Sequence, residues 1–179
     1  MKYTPFEIRK MLDSMTILVD TREHPGKKFD SRVADFGCPW ERCKLVFGDY
    51  SCKTTDAKGN EISMTDKVAI ERKMDANELA LCLGKERQRF EREFIRAKEF
   101  GAVIYLLIEE EDWESVYAGR YGHIPKYRSK LNPKSLVASI LTWQARYRMN
   151  IQFCDESMTG RLIADILKYE LREVLENAE

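Results

Sequence analysis

No stretch of this 179-residue chain approaches the roughly 20 consecutive apolar residues that a membrane-spanning helix requires. The segment from Met1 to Asp13 carries charges throughout and lacks the apolar centre of a secretory signal, so a cytoplasmic protein with no membrane partner is expected. Net charge is lacking as well. Lys and Arg total 30 against 30 Asp and Glu, which argues against a partner that binds nucleic acid by bulk charge but leaves room for a local basic groove. The five cysteines (Cys38, Cys43, Cys52, Cys82 and Cys154) are odd in number and scattered, so they read as reduced thiols rather than a disulfide framework. A zinc site built on Cys38 and Cys43 would need further ligands, and none sits at a convincing spacing. There is no internal repeat or low-complexity tract. What remains, 44% apolar and 34% charged residues, is an ordinary globular composition of a length that suits one domain spanning 1–179.

The chemistry concentrates in Val68-Ala69-Ile70-Glu71-Arg72-Lys73, which reads as a buried strand ending in three charges. Alternation along a strand puts Glu71 and Lys73 on one face and Arg72 on the other. Upstream, Lys44 to Tyr50 also reads as a strand and ends in Asp49. The polar stretch from Thr54 to Glu61, with Gly59 at its tip, predicts a hairpin that pairs the two strands antiparallel. That pairing would bring Asp49 and Glu71 together with Lys73 beside them. Two carboxylates suit a hard cation such as Mg²⁺, which keeps much of its water and favours phosphate substrates. A lysine there can orient a water or offset charge on the phosphate in the transition state. In outline this is a phosphodiesterase site. The strand Ile17-Leu18-Val19 delivers two more carboxylates, Asp20 and Glu23. Both could cap a loop, but a carboxylate that follows three buried residues needs a metal or a partner.

Gly48-Asp49 followed by Glu71-Arg72-Lys73 resembles the GD…ERK signature of the XPF-type structure-specific endonucleases, a branch of the PD-(D/E)XK nuclease superfamily. Val19-Asp20-Thr21-Arg22-Glu23 resembles that family's VDxRE opening strand, and Val103 to Glu109 stands where it has an apolar strand ending in Glu. Arg89 and Glu93 match its helical Arg-x-x-x-Gln, with Glu in place of Gln. The likeness covers most of residues 16–175, taken as the core. It departs at the ERKxxxD position, which here is Asn77, with Asp75 two residues early. Asp75 also reads as a helix N-cap with Glu78 completing a capping box, so it is left out of the catalytic set. The resemblance implies a restriction-endonuclease-like α/β fold, a mixed central sheet flanked by helices. It also implies a Mg²⁺-dependent endonuclease acting on branched or flapped DNA in repair or recombination, with Mn²⁺ able to substitute. Asp49, Glu71 and the Arg72 carbonyl would hold the metal, Lys73 would polarise the attacking water, and Asp20 or Glu23 would complete the shell or a second site. Arg22 and Arg89 become candidates for phosphate contact.

Elsewhere, Ala118 to Ser135 contains no acid, and its Arg120, Lys126, Arg128 and Lys130, with Tyr121 and Tyr127 among them, form a candidate nucleic-acid surface. A loop that packs its tyrosines on the domain is the alternative. One helix from Asp75 to about Phe100 is predicted, with Gly84 inside it marking a bend or a close approach. The last helix carries an apolar face from Leu162 to Leu175 that is wider than a small domain needs, and in the resembling family such helices contribute to a dimer interface, so a homodimer is expected. The tandem helix-hairpin-helix module and the helicase of some relatives are not seen in the chain, so a separate DNA-binding or helicase partner is expected. A catalytically inactive module that binds branched DNA or a protein is the alternative from another class. A purely structural protein would leave the carboxylates unexplained.

Overall fold

The computed structural model describes residues 2–121 and 127–178, with the side chains of Arg120 and Tyr121 excepted. Three predicted nucleic-acid contacts, Arg120, Tyr121 and Lys126, therefore lie outside the described residues. The chain opens with helix α1 (Pro5–Asp13), whose capping box is formed by Thr4 Oγ1 accepting from the Glu7 N–H and the Glu7 carboxylate accepting from the Thr4 N–H. Strand β1 (Thr16–Asp20), helix α2 (Lys27–Ala34) and strand β2 (Trp40–Cys43) follow. Next come β3 (Tyr50–Thr55), β4 (Glu61–Ser63) and β5 (Val68–Lys73), then α3 (Ala76–Leu83) and α4 (Arg87–Phe100). The rest is β6 (Val103–Glu109), α5 (Trp113–Tyr121), α6 (Pro133–Tyr147), β7 (Asn150–Cys154), a 3₁₀ turn at Glu156–Met158 and α7 (Thr159–Glu176).

The strands form one mixed sheet in the order β2-β1-β3-β5-β6-β7, with β4 paired to β3 beside that path. Strands β5, β6 and β7 run parallel, β1 runs parallel to β2, and β3 is antiparallel to both β1 and β5. The restriction-endonuclease-like expectation is thus met. Two cores lie on opposite sheet faces. One holds α3, α4 and α6 around Phe94 and the fully buried Trp143. The other holds α1, α2 and α7 around Ile17, Val19 and Ile70. Strand alternation divides β5 between them, Ala69 entering the first core and Val68 and Ile70 the second.

Three expectations need correction. Lys44 to Asp49 is not a strand, because Gly48 adopts a left-handed φ of +72° that breaks extended backbone and the ladder begins only at Tyr50. The apolar residues that suggested a strand, Leu45 and Phe47, are buried as a plug from an irregular loop. The helix predicted from Asp75 onward is two helices, broken at Gly84 to Glu86 rather than bent. The wide apolar face of α7 is covered by the chain's own sheet: Ile163, Leu167, Leu171 and Leu175 are buried and Leu162, Ile166 and Val174 pack half-buried beside them. That face needs no second subunit to cover it.

Candidate active site

Asp49 stands where β3 begins, between β1 and β5. Its N–H donates to the Ile70 carbonyl at 2.8 Å, and its own carbonyl accepts from the Asp20 N–H at 2.8 Å. Its Oδ2 accepts the Arg72 N–H at 2.8 Å, which turns the carboxylate toward the end of β5. Gly48 makes this approach possible. A Cβ there would lie 2.7 Å from Ala69 Cβ and 3.2 Å from the Ile70 carbonyl oxygen. Beyond Ile70, Glu71 and Lys73 project together on the α3–α4 side, both largely buried. Lys73 Nζ donates to Glu71 Oε1 at 2.6 Å and to the Arg72 carbonyl at 3.1 Å. The ammonium also lies 3.8 Å from Glu78 Oε1 and 5.0 Å from the centre of the Phe90 ring.

These groups line a cleft of about 260 Å³ whose rim includes Arg22, Glu23, His24, Arg89 and Glu93. Burial, and next the neighbouring Glu71 carboxylate, push the Asp49 carboxyl well above the usual range, with Lys73 only partly offsetting them. Lys73 moves the other way. Burial alone would lower it, but the Glu71 and Asp49 carboxylates outweigh burial and hold it well above the ordinary lysine range, so it is a cation at neutral pH. Half-buried Cys82, also on the cleft, is pushed up to about 11 by burial, which keeps it a thiol.

The two carboxylates of β1 and its following turn take other positions. Asp20 is fully buried and does not line the cleft. Its Oδ1 accepts from the Arg22 N–H and Arg22 Nε, both at 2.7 Å, and its Oδ2 accepts from the Leu45 N–H at 2.7 Å. It thereby secures the Leu45 loop and aims Arg22, whose Nη1 reaches Glu93 Oε1 at 3.1 Å. Glu23 lines the cleft, but its Oε2 is held by Tyr50 Oη at 2.7 Å and Arg32 Nη1 at 3.1 Å. Among the described residues no group of three His, Cys, Asp or Glu able to hold a metal occurs, and Asp20 and Glu23 are each engaged by donors of the protein itself.

The strand pattern alone did not reveal the support behind β5. The Arg72 side chain, on the opposite face from Glu71 and Lys73, donates to the fully buried Glu109 at 2.9 Å and lies 3.9 Å from Glu23. Arg32, also buried, pairs with Glu109 at 3.6 Å and donates to Tyr50 Oη at 2.8 Å. Two arginines and two glutamates thus form an ion-pair network with Tyr50 directly beneath the Asp49–Arg72 hydrogen bond. For Glu109 the available signal is its place at the end of an apolar strand. Arg32 offered none, because its partners are distant in sequence.

Arg89 sits on the rim with its side chain 77% exposed and a loose contact to Glu86. Asn77 Oδ1 accepts from the Arg128 N–H at 2.6 Å, and Asp75 caps α3 through the Glu78 N–H at 2.8 Å; neither lines the cleft. Tyr127 is half-buried against the first core with its hydroxyl donating to the Leu131 carbonyl, so its ring is not free to stack on a base, while Arg128 and Lys130 are exposed.

A mixed α/β sheet that brings two carboxylates and a lysine to one strand end has the architecture of a nuclease domain. The ERCC4 domain profile matches residues 19–166, and the chain belongs to that family of nuclease domains. Among solved structures, XPF from Aeropyrum pernix superposes with a TM-score of 0.62 at 20% identity, covering 90% of this chain and 67% of that one. The same protein in complex with DNA gives 0.60 at 19% identity, covering 91% and 68%. No curated protein sequence matches. Among the described residues no helix is long and apolar enough to cross a membrane.

Proposed function

We propose that this chain is a divalent-metal-dependent endonuclease that hydrolyses phosphodiester bonds in DNA. The observation that carries the reading is the convergence of Asp49 and Glu71 on one cleft with Lys73 Nζ 2.6 Å from Glu71. The donor set fits a hard cation. Asp49 and Glu71 repel one another, and a metal between them would relieve that repulsion. The Arg72 carbonyl, which faces Lys73 Nζ, offers a third oxygen. Two carboxylates and a carbonyl suit Mg²⁺, which retains waters in its remaining positions, and Mn²⁺ accepts the same oxygens. When bound, such an ion polarises a phosphate oxygen and lowers the pKa of a coordinated water.

The chain's own groups account for the rest. Lys73 is a held cation, so it offsets charge on the phosphate and fixes Glu71 rather than taking a proton. Arg22 and Arg89 on the rim meet flanking phosphates. Asp20 acts by positioning Arg22, and Glu23 by joining Arg32 and Tyr50 beneath Asp49. Branched or flapped DNA as substrate, a role in repair or recombination, a separate DNA-binding or helicase partner, and a homodimer formed on a surface other than the covered face of α7 belong to the same reading and rest on the family resemblance.

The test is cleavage of labelled single-stranded, duplex, flap, fork and four-way DNA with Mg²⁺, with EDTA, and by Glu71→Ala under Mg²⁺. Metal-dependent cutting that vanishes in Glu71→Ala is expected. Tight binding to branched forms with no cutting of any substrate would replace this reading with the inactive module.

A further inference from the structure

Helix α3 and the segment from Arg128 to Leu131 enclose a groove of about 800 Å³, larger than the catalytic cleft and separate from it. Lys85, Arg128 and Lys130 line it against a single carboxylate, Asp75, whose Oδ1 is engaged in capping α3. Among the described residues no ion pair engages Lys85, Arg128 or Lys130. The floor is apolar, with Leu81 44% exposed beside Leu131 and Ala80. The groove is not isolated. At Gly84 and Lys85 it meets a shallow channel over the α3–α4 turn, and at Glu86 and Arg89 that channel meets the cleft of Asp49 and Glu71. Gly84 stands at the break between α3 and α4. A Cβ there would lie 2.9 Å from the Ala80 carbonyl oxygen.

We infer that this groove binds the unpaired strand of a branched DNA substrate, leading it away from the catalytic cleft. The inference rests on the endonuclease reading and specifies its substrate. Cations on both walls of the groove, Lys85 beside α3 and Arg128 and Lys130 on the facing segment, can meet a phosphate backbone. An apolar floor between them can be met only by bases that are not already stacked inside a duplex. A blunt duplex would leave Leu81 and Leu131 uncovered, whereas a single strand covers them while its phosphates reach Lys85 and Lys130.

The experiment is fluorescence anisotropy in EDTA with a labelled oligothymidine and a blunt duplex, from 50 to 300 mM salt, on the full chain. Wild type is compared with Lys85→Gln/Lys130→Gln and with Leu81→Ser, and circular dichroism checks folding. Loss of two phosphate contacts lowers the magnitude of the single-strand salt slope by about 1.4 and weakens oligothymidine binding on the order of 10- to 25-fold at 0.1 M salt, with duplex affinity changing less than about threefold. Leu81→Ser weakens oligothymidine binding roughly fivefold with the salt slope unchanged. Equal losses for single strand and duplex, or none for either, overturn the inference. So does a dimer that Leu81→Ser dissociates while oligothymidine affinity is unaffected. If wild type cuts no DNA yet shows the expected binding pattern, the groove stands and the endonuclease reading fails.

Discussion

Substituting Gly48 by Ala tests how Asp49 is placed. Two costs can be read from the geometry. The left-handed φ of +72° costs an L-residue about 1–2 kcal/mol. The new methyl would also stand 2.7 Å from Ala69 Cβ, inside any tolerable contact, and forcing it into a packed site costs about 1–3 kcal/mol more. The sum, about 2–5 kcal/mol, corresponds to a fall in Tm of roughly 4–20 °C for a chain of this size. Urea denaturation in EDTA measures it. Because the contact is with one methyl, Ala69→Gly in the Gly48→Ala background should recover the steric part but not the backbone part, giving a coupling of about 1–3 kcal/mol in a double-mutant cycle. A loss below about 1 kcal/mol, or no coupling with position 69, would refute the placement of Asp49 by a close approach of Gly48 to β5.

Asp49→Asn should stabilise the metal-free protein while removing metal binding. A carboxyl whose folded pKa is raised costs stability as pH rises from its unfolded value, near 3.9, through the folded value, and the cost then persists at higher pH. In EDTA the variant should therefore gain about 0.5–2 kcal/mol at pH 7.5, with the difference gone below about pH 4; equal stability at both pH values would contradict the buried-charge account. Gly160→Ala should loosen α2 from α7, since its Cβ would fall on the Arg32 carbonyl and 2.8 Å from Asp35 Cβ. A loss of about 1–3 kcal/mol by denaturation is expected, and a neutral result would mean the helices are not so closely apposed. Phe94→Ala, which removes a ring packed edge-on to Phe90 and Trp143 at about 5 Å, should cost about 3–5 kcal/mol by the same assay.

Much of the site was legible because it depends on local pattern. Alternation along Val68 to Lys73 separates Glu71 and Lys73 from Arg72, and the structure keeps that separation. The cap at Asp75 was readable for the same reason. What local pattern cannot supply is a partner distant in sequence. Arg32 meets Glu109 and Tyr50, and Asp20 meets Leu45, only once the sheet has formed. The misread strand at Lys44 to Asp49 shows the same limit: Leu45 and Phe47 have a strand's alternation, but the loop's left-handed Gly48 decides the backbone. The apolar face of α7 is wide because it packs across the sheet together with α1 and α2.

The most direct measurement is calorimetric titration of Mn²⁺ into the protein at pH 7.5, for wild type, Glu71→Gln and Lys73→Ala. The account predicts a saturable site in wild type that is lost in Glu71→Gln and kept in Lys73→Ala, since the lysine is a neighbour of the donor set and not a member. Equal binding by wild type and Glu71→Gln, or none by wild type, would contradict a metal centre built on Asp49 and Glu71.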